Sequence, residues 1–253
     1  MHSNLTELLP GRSEYTRRSG AARRGRDHID WRPVALLLIR HGETEWSRSR
    51  RHTGRTDVPL TATGEGEAAD LGRRLAGTAF SAVWTSPAAR ARATARLAGL
   101  TPDAVVLDDL AEFDYGAYEG LTTREIARTR PGWDLWRDGG DRGESPGTVL
   151  QRARRALATI AAGSRPGTVA VVSHGHLLRA LAVAYLGLPV EAAGGFMLEV
   201  ASISILDAEH GQPAVRLWNL APPTALAGAV LTGPPPPARA ADDAGSPPAT
   251  RSG

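Results

Sequence analysis

The chain contains no cysteine and no lysine among its 253 residues. The lack of cysteine excludes disulfide bonds and enzymes that use a cysteine nucleophile, and it fits a protein of the reducing cytoplasm, where we predict this one to be. The lack of lysine means that every permanently charged side-chain cation is an arginine. No apolar run is long enough to cross a membrane, so the sequence predicts no membrane contact.

Charge is uneven along the chain. Residues 1–33 carry seven arginines against four acidic residues, and this surplus equals the formal charge of +3 of the whole protein. The high isoelectric point therefore comes from an extension that we expect to be disordered, and it predicts no nucleic-acid partner. Residues 221–253 are rich in proline, alanine and glycine and are predicted to form a disordered tail. The remaining residues, 34–220, are predicted to form one domain with a substantial core.

Two apolar runs end in the same way. Residues 34–39 and 168–173 both have the pattern of a short strand covered on both faces. In open α/β sheets the carboxyl end of such a strand is where ligands bind. A fixed cation and titratable nitrogens at this edge would meet an anionic substrate. The residues that follow the two runs are Arg40, His41 and Gly42 in the first case and His174, Gly175 and His176 in the second.

A third segment repeats the arrangement. The short apolar run 82–84 is followed by Ser86 and Pro87, and we expect a helix from Pro87 to about residue 98. Arg90 and Arg92 stand two positions apart on that helix, so their side chains point to different sides. Only one of the two arginines is expected to face the substrate.

Together these motifs resemble those of the histidine phosphatase superfamily, also called the phosphoglycerate mutase-like family. The family's Arg-His-Gly-Glu-Thr signature stands at residues 40–44, and its helix-borne arginine falls on Arg90. The acid that precedes a Tyr-Gly turn falls on Glu112, and the second histidine on His174. The resemblance covers about residues 34–220 and is greatest to the bacterial branch of broad-specificity acid phosphatases, mycobacterial enzymes included.

The resemblance implies a phosphoryl-transfer site. His41 would attack phosphorus and form a phosphohistidine, because neighbouring arginines lower the pKa of an imidazole and keep its nitrogen unprotonated. Glu112 would protonate the departing alkoxide and then take a proton from water. Arg40 and Arg90 would bind the phosphate oxygens in bidentate fashion, and His174, expected to be protonated, would complete the cage.

The same resemblance adds weaker candidates. Tyr115 either lines the leaving-group side or packs in the core, and Glu43 is expected to hold a nearby arginine without taking part in the chemistry. Donors in the loop after the first motif, and at the second His-Gly, are expected to touch phosphate. These predicted phosphate contacts are Gly42, Ser47, Thr53, Gly54 and Gly175.

Departures from the family's mutases favour hydrolysis. Mutases hold the leaving phosphoglycerate with a lysine after the acidic turn and an arginine pair further on. This chain has Thr123 at the first place, and Trp133, Trp136 and Arg137 in the later segment. We therefore predict a metal-independent acid phosphatase of small phosphate monoesters, with a sugar bisphosphatase or a phosphoglycerate mutase as alternatives. A pH optimum below neutrality would follow if Glu112 must carry its proton in the first step.

A different class of enzyme would use the same residues as metal ligands. His174 and His176 follow a strand, and with His41 and Glu112 they have a composition that could bind zinc or manganese. Arginines packed around these histidines would repel a dication, so the sequence predicts no metal and no other cofactor. Every catalytic position is filled, which argues against a phosphate-binding protein without activity.

Alternating strands and helices predict a three-layer α/β/α sandwich whose mainly parallel sheet has an antiparallel edge. By resemblance to the family, residues 108–147 are expected to form a lid over the site, and a homodimer is a family-level expectation. The predicted strands cover residues 34–39, 82–84, 105–107, 168–173, 196–206 and 214–218. The predicted helices cover residues 64–76, 87–98, a segment from 122, 146–162 and 177–186.

Overall fold

The computed structural model describes residues 34–100 and 104–222. The predictions for the extension, residues 1–33, and for nearly all of the tail, residues 221–253, lie outside the described residues. Within the described part, no helix is both long enough and apolar enough to cross a bilayer.

Six strands form one mixed sheet. They are β1 (Val34–Arg40), β2 (Phe80–Thr85), β3 (Ala104–Val106), β4 (Gly167–Ser173), β5 (Ile203–Glu209) and β6 (Gln212–Leu220). Their order across the sheet is β3-β2-β4-β1-β5-β6. The first four strands in that order pair in parallel, whereas β5 pairs antiparallel with both β1 and β6. The predicted mainly parallel sheet with an antiparallel edge is confirmed.

Helices connect the strands and cover both faces of the sheet. Two short 3-10 helices, Asp108–Leu110 and Val190–Gly195, accompany them. The α-helices are α1 (Glu45–Arg48), α2 (Ala62–Arg74), α3 (Ala89–Leu97), α4 (Thr123–Thr129), α5 (Leu135–Asp138), α6 (Pro146–Gly163) and α7 (Gly175–Leu186).

The two faces of the sheet carry separate hydrophobic cores. Successive residues of a strand point to opposite faces. Leu36 and Leu38 of β1 accordingly pack in one cluster with residues of α6 and α7. Leu37 and Ile39 pack in the other cluster with residues of α2 and α3. The sheet is therefore the middle layer of the predicted three-layer sandwich.

Local sequence signals determine several helix ends as predicted. The Ser145 hydroxyl accepts the Thr148 N–H at 3.1 Å, and Pro146 occupies the first turn of α6. α7 ends at Gly187, whose φ of 70° lies in the left-handed region that glycine tolerates.

The predicted start of α3 is wrong by two residues. The helix begins at Ala89 rather than at Pro87. The Ser86 hydroxyl accepts the Ala88 N–H at 3.2 Å, which forms a turn ahead of the helix. The carboxylate of Asp57 accepts the Ala89 N–H at 2.9 Å. A side chain from a distant loop thus caps α3, and the local sequence does not carry that signal.

The predicted start of the fifth strand is also wrong. β5 begins at Ile203 and not near Phe196. The preceding turn is instead tied to the end of β1, because the Ala201 N–H donates to the His41 carbonyl at 3.1 Å and the Arg40 N–H donates to a carbonyl of the same turn. The apolar residues before Ile203 therefore support the end of β1 and not the sheet edge.

β1 and β4 end at the same level of the sheet. In their parallel register Arg40 lies opposite Ser173. The next residues, His41 and His174, consequently emerge side by side at the carboxyl edge, where ligands of open α/β sheets bind.

Candidate active site

His41 and His174 form the centre of the candidate site. Their ring centroids lie 5.2 Å apart at an interplanar angle of 63°. Both side chains are buried, with 4% of His41 and 0% of His174 exposed. Two imidazoles withdrawn from water at the end of a parallel sheet are well placed for proton or phosphoryl chemistry.

The proton of His41 can be assigned from its surroundings. Nδ1 lies 2.8 Å from the carbonyl oxygen of Gly42. Because a carbonyl oxygen only accepts, Nδ1 carries the proton and Nε2 keeps its lone pair. Burial lowers the pKa of His41 well below its usual 6.5, and Arg40 and Arg90 lower it further. The ring is therefore neutral, and its Nε2 is available for attack in weakly acidic solution.

Arg40 lies against the second His-Gly motif. One of its terminal nitrogens donates to the carbonyl of Leu198, but its buried Nε has no partner among the described residues. A Cβ atom on Gly175 would lie 3.3 Å from this Nε, so glycine leaves the guanidinium room. A buried donor without a partner costs about 1–3 kcal/mol. The surroundings of Arg40 therefore favour a bound anion that accepts a hydrogen bond from Nε.

As the spacing predicts, only one of Arg90 and Arg92 on α3 faces the site. Arg90 is buried at 1% exposure, whereas Arg92 is exposed. The acceptors of the Arg90 guanidinium are the carbonyls of Thr53, Gly54 and Thr56 and the Nδ1 atom of His174. An arginine has five N–H groups. Four of them are used in these bonds, and the nitrogen that donates to Thr56 keeps one further N–H and lies 3.9 Å from a carboxylate oxygen of Asp57.

The charge of His174 follows from its hydrogen bonds and its burial. Its Nδ1 accepts from Arg90 at 3.2 Å, so its proton sits on Nε2, which lies 2.7 Å from the Ser86 hydroxyl. Burial lowers the pKa of His174 well below 6.5, and Arg90 and His41 lower it further. His174 is therefore neutral in the site without a ligand, and its protonation around a bound phosphate stays a prediction. A bound phosphate dianion would raise this pKa again.

The carboxylate of Glu112 lies at the N-terminus of α7. Its Oε1 accepts the N–H groups of Phe113 and Leu177, both at 2.9 Å, and its Oε2 accepts that of His176 at 3.1 Å. Only 6% of the side chain is exposed. Since His174 is the N-cap residue of α7, this helix N-terminus brings the carboxyl group and the second imidazole into one site.

The loop that holds Arg90 is itself held by Glu119. Its Oε1 accepts the N–H groups of Gly54 at 2.8 Å and Thr56 at 3.0 Å. A Cβ atom on Gly54 would lie 2.6 Å from the Phe113 carbonyl oxygen, so this position requires glycine. No local pattern in the sequence reveals the role of Glu119, because these partners lie 65 and 63 residues away along the chain.

Two other predicted phosphate contacts have occupied hydroxyl groups. The Ser47 hydroxyl accepts the Thr44 N–H while the Thr44 hydroxyl accepts the Ser47 N–H, which makes a capping box at the start of α1. The Ser47 hydroxyl also donates to the Thr44 carbonyl. The Thr53 hydroxyl donates to the Arg51 carbonyl at 3.1 Å. Contact of these residues with phosphate stays a prediction.

The first motif is fastened to two neighbouring helices. The Gly42 N–H donates to the Thr94 hydroxyl of α3 at 3.1 Å, so its phosphate contact also stays a prediction. The carboxylate of Glu43 accepts from the hydroxyl of Thr61, the N-cap residue of α2, at 2.7 Å. Among the residues that the structure describes, Glu43 forms no ion pair with an arginine, so the expectation that it holds one is wrong; the Thr61 hydroxyl is its partner instead.

Neutral rings line the side of the site next to Glu112. The Tyr115 hydroxyl lies 2.6 Å from Nδ1 of His176, and that nitrogen lies 3.9 Å from the Glu112 carboxylate. The ring of His52 packs on Tyr115 with 4.7 Å between centroids. Burial lowers the pKa of His52 to about 4 and that of His176 well below 6.5. No sequence pattern assigns a role to His52, because only its packing against Tyr115 and Trp133 reveals one.

The described residues contain no group of three or more histidine, aspartate or glutamate side chains placed to hold a metal ion. His174 is bonded to Arg90 and Ser86, while His176 is bonded to Tyr115. The His-x-His pair of the metal hypothesis is thus divided between two sets of partners.

Known proteins are similar to this chain in sequence and in fold. Residues 36–221 match the histidine phosphatase superfamily (branch 1). An acid phosphatase of Mycobacterium tuberculosis is 42% identical over 73% of this chain and 92% of its own length. Sedoheptulose 1,7-bisphosphatase of Saccharomyces cerevisiae is 35% identical over 72% and 78%, respectively. A solved structure from M. tuberculosis, 42% identical, has a TM-score of 0.72 and covers 75% of this chain and 99% of that one.

Proposed function

Because the chain belongs to the histidine phosphatase superfamily, we propose that it is a metal-independent phosphomonoesterase that hydrolyses small phosphorylated metabolites through a phosphohistidine at His41. The observation that carries the proposal is the neutral ring of His41, whose Nε2 lone pair is free and whose pKa is lowered by burial and by Arg40 and Arg90. Phosphoryl transfer needs a nucleophile in line and cations around the phosphate oxygens. His41 would supply the nucleophile, and Arg40 and Arg90 would supply the cations.

In the first step the Nε2 lone pair of His41 attacks phosphorus while the bond between phosphorus and the ester oxygen breaks. Glu112, in its protonated form, gives its proton to that oxygen, so the alcohol leaves uncharged. The unpaired Nε of Arg40 and the guanidinium of Arg90 offset the charge on the phosphate oxygens. A phosphate dianion favours a cationic His174, which requires its Nδ1 to give up the hydrogen bond that it accepts from Arg90.

In the second step water attacks the phosphorus of the phosphohistidine. Glu112, now a carboxylate, takes a proton from this water, and the bond between phosphorus and Nε2 breaks, which returns the electron pair to nitrogen. The products are the alcohol and inorganic phosphate. His41 is again neutral and Glu112 again protonated, so the cycle needs no metal ion and no organic cofactor.

The leaving-group side supports hydrolysis rather than a mutase reaction. A mutase must retain its charged product while the product turns round, which requires cations beyond the phosphate cage. The chain has no lysine, and Trp133 and Trp136 pack against the rings of His52 and His176. Without such cations the alcohol departs after the first step, and water can then reach the phosphohistidine.

A sugar bisphosphatase is the second candidate function. The yeast sedoheptulose 1,7-bisphosphatase, 35% identical, favours it. A matched pair of sugar substrates that differ by one phosphate separates the two candidates. Similar kcat/KM values for both support the broad monoesterase, whereas a strong preference for the bisphosphate supports the second candidate.

The cytoplasmic location and the homodimer stay predictions. A chain without cysteine suits a reducing compartment. Light scattering of the purified protein measures the oligomeric state directly.

Replacement of the nucleophile tests the proposal. We expect His41→Ala to lower phosphate release from p-nitrophenyl phosphate about 1,000-fold or more, because the variant lacks the imidazole that accepts the phosphoryl unit. Phosphate release is measured with EDTA present, and a 32P-labelled substrate is used to trap the acid-labile phosphoprotein. His210→Asn, at an exposed histidine in the turn between β5 and β6, is the matched control and should keep wild-type activity.

Two results would contradict the proposal. Undiminished turnover by His41→Ala would exclude His41 as the nucleophile. Activity that EDTA abolishes and zinc or manganese restores would favour the metal-dependent class.

A further inference from the structure

A buried arginine of α6 holds the segment that carries Glu112. The guanidinium of Arg152 donates to the carbonyls of Asp109, Ala111 and Glu112 itself. Its Nε and a terminal nitrogen also donate to the two carboxylate oxygens of Glu144, at 2.8 and 2.6 Å. All five N–H groups of Arg152 are thus used. Only 11% of its side chain is exposed.

Glu144 extends the same contact to the other side of Glu112. Its carboxylate accepts the Asp114 N–H at 3.0 Å, and its own N–H donates to the Asp114 carbonyl at 2.8 Å. The chain around Glu112 lies in neither a helix nor a strand. Its carbonyls therefore find their partners in Arg152 and Glu144 instead of a backbone ladder.

We propose that Arg152 and Glu144 are the positioning pair that sets the location of the Glu112 carboxyl group relative to the departing oxygen. This inference rests on the proposed function, in which Glu112 is the general acid. Neither residue touches the reacting atoms. Both act by holding the backbone on the two sides of Glu112, and a shift of about 1 Å in a catalytic group can cost about 100-fold in rate.

A purely structural role predicts a different pattern of rates. General acid catalysis matters for an alkoxide leaving group, which must be protonated, and matters little for a phenolate of low basicity, which leaves without a proton. Misplacement of Glu112 should therefore slow cleavage of alkyl phosphates selectively. General loosening of the fold would slow both kinds of substrate to the same extent.

The experiment compares glycerol 2-phosphate with 2,4-dinitrophenyl phosphate in single-turnover measurements of alcohol release. We expect Arg152→Met to slow the alkyl substrate about 10- to 100-fold and the dinitrophenyl substrate less than about 3-fold. Glu144→Gln should show the same selectivity at about 3- to 10-fold, because it keeps the shape of the side chain but weakens the pair. Arg154→Ala, exposed two positions along α6, is the matched control and should leave both rates unchanged.

Glu112→Gln in the same assay separates the inference from the proposed function. If Glu112→Gln shows the selective loss and Arg152→Met slows both substrates equally or neither, the positioning role is excluded while the mechanism stands. If Glu112→Gln itself shows no selectivity, the proposed general acid is wrong. Thermal unfolding is recorded for each variant, and Glu144→Gln decides the question if Arg152→Met is unfolded at the assay temperature.

Discussion

At the residue scale, Arg90 joins two parts of the site. Its guanidinium donates to the carbonyls of Thr53 and Gly54 and to Nδ1 of His174. The same side chain therefore shapes the loop and determines which nitrogen of His174 carries the proton. A lysine has the same charge, but its three donors radiate from one atom and cannot reach these acceptors together.

We expect Arg90→Lys to lower kcat/KM about 100-fold and the free energy of unfolding by about 1–3 kcal/mol, because the buried Gly54 carbonyl loses its donor. Steady-state kinetics and urea denaturation measure the two effects. Arg92→Lys, exposed on the same helix, is the matched control and should change neither. Wild-type kinetics in Arg90→Lys would mean that the charge alone is needed and not the planar fork.

At the element scale, sequence and structure agree where residues close in the chain decide an end. The apolar runs of β1 and β4 end at the predicted His-Gly motifs, and Ser145 caps α6. They disagree where a distant residue decides. The start of α3 depends on the carboxylate of Asp57, and the start of β5 depends on a turn that pairs with β1.

The candidate site likewise contains residues that the local sequence predicts and residues that it does not. Its motif residues were predictable because each follows a recognisable strand or turn, and the structure brings His41, Arg90 and His174 together. Glu119 and Arg152 were not predictable, because the loop and backbone groups that they hold lie between 40 and 65 residues away. The charge of a buried imidazole likewise depends on packing that no local pattern encodes.

The contact between α2 and the first motif gives a test at this scale. A Cβ atom on Gly64 would lie 2.1 Å from the carbonyl oxygen of Glu43 and 2.7 Å from its nitrogen. Both are backbone atoms, which cannot turn aside as a flexible side chain can. On Gly66 of the same helix, a Cβ atom would meet nothing within 4 Å.

We expect Gly64→Ala to cost about 2–4 kcal/mol of stability despite the better helix propensity of alanine, because the backbone beside His41 must move. Activity should fall with it. Gly66→Ala is the matched control and should gain about 0.5–1 kcal/mol. Urea denaturation of both variants measures the difference, and a stabilised Gly64→Ala would show that α2 can withdraw from the motif at little cost.

At the scale of the whole molecule, folding keeps several imidazoles unprotonated. Burial lowers the pKa of His41, His52, His174 and His176 in the folded protein. In the unfolded chain a histidine titrates near pH 6.5. Below that pH the unfolded state binds more protons than the folded state, so the free energy of unfolding falls as the pH falls. The nucleophile is thus kept unprotonated in acid at the expense of stability in acid.

His52 allows this balance to be measured, because its pKa in the folded protein is lowered to about 4. The contribution of the neutral His52 ring to the free energy of unfolding is complete above pH 6.5. This contribution is lost as the pH falls from 6.5 to about 4. We expect His52→Phe, which can keep the ring packing on Tyr115 and Trp133, to lose about 2 kcal/mol less stability than the wild type between pH 7 and pH 4.5. Urea denaturation at several pH values measures the slopes, with His210→Asn as the exposed control. Equal slopes for His52→Phe and the wild type would mean that His52 is protonated as readily in the folded protein as in the unfolded chain. A smaller slope for the variant alone would assign this part of the acid sensitivity to one buried ring beside the leaving-group side of the site.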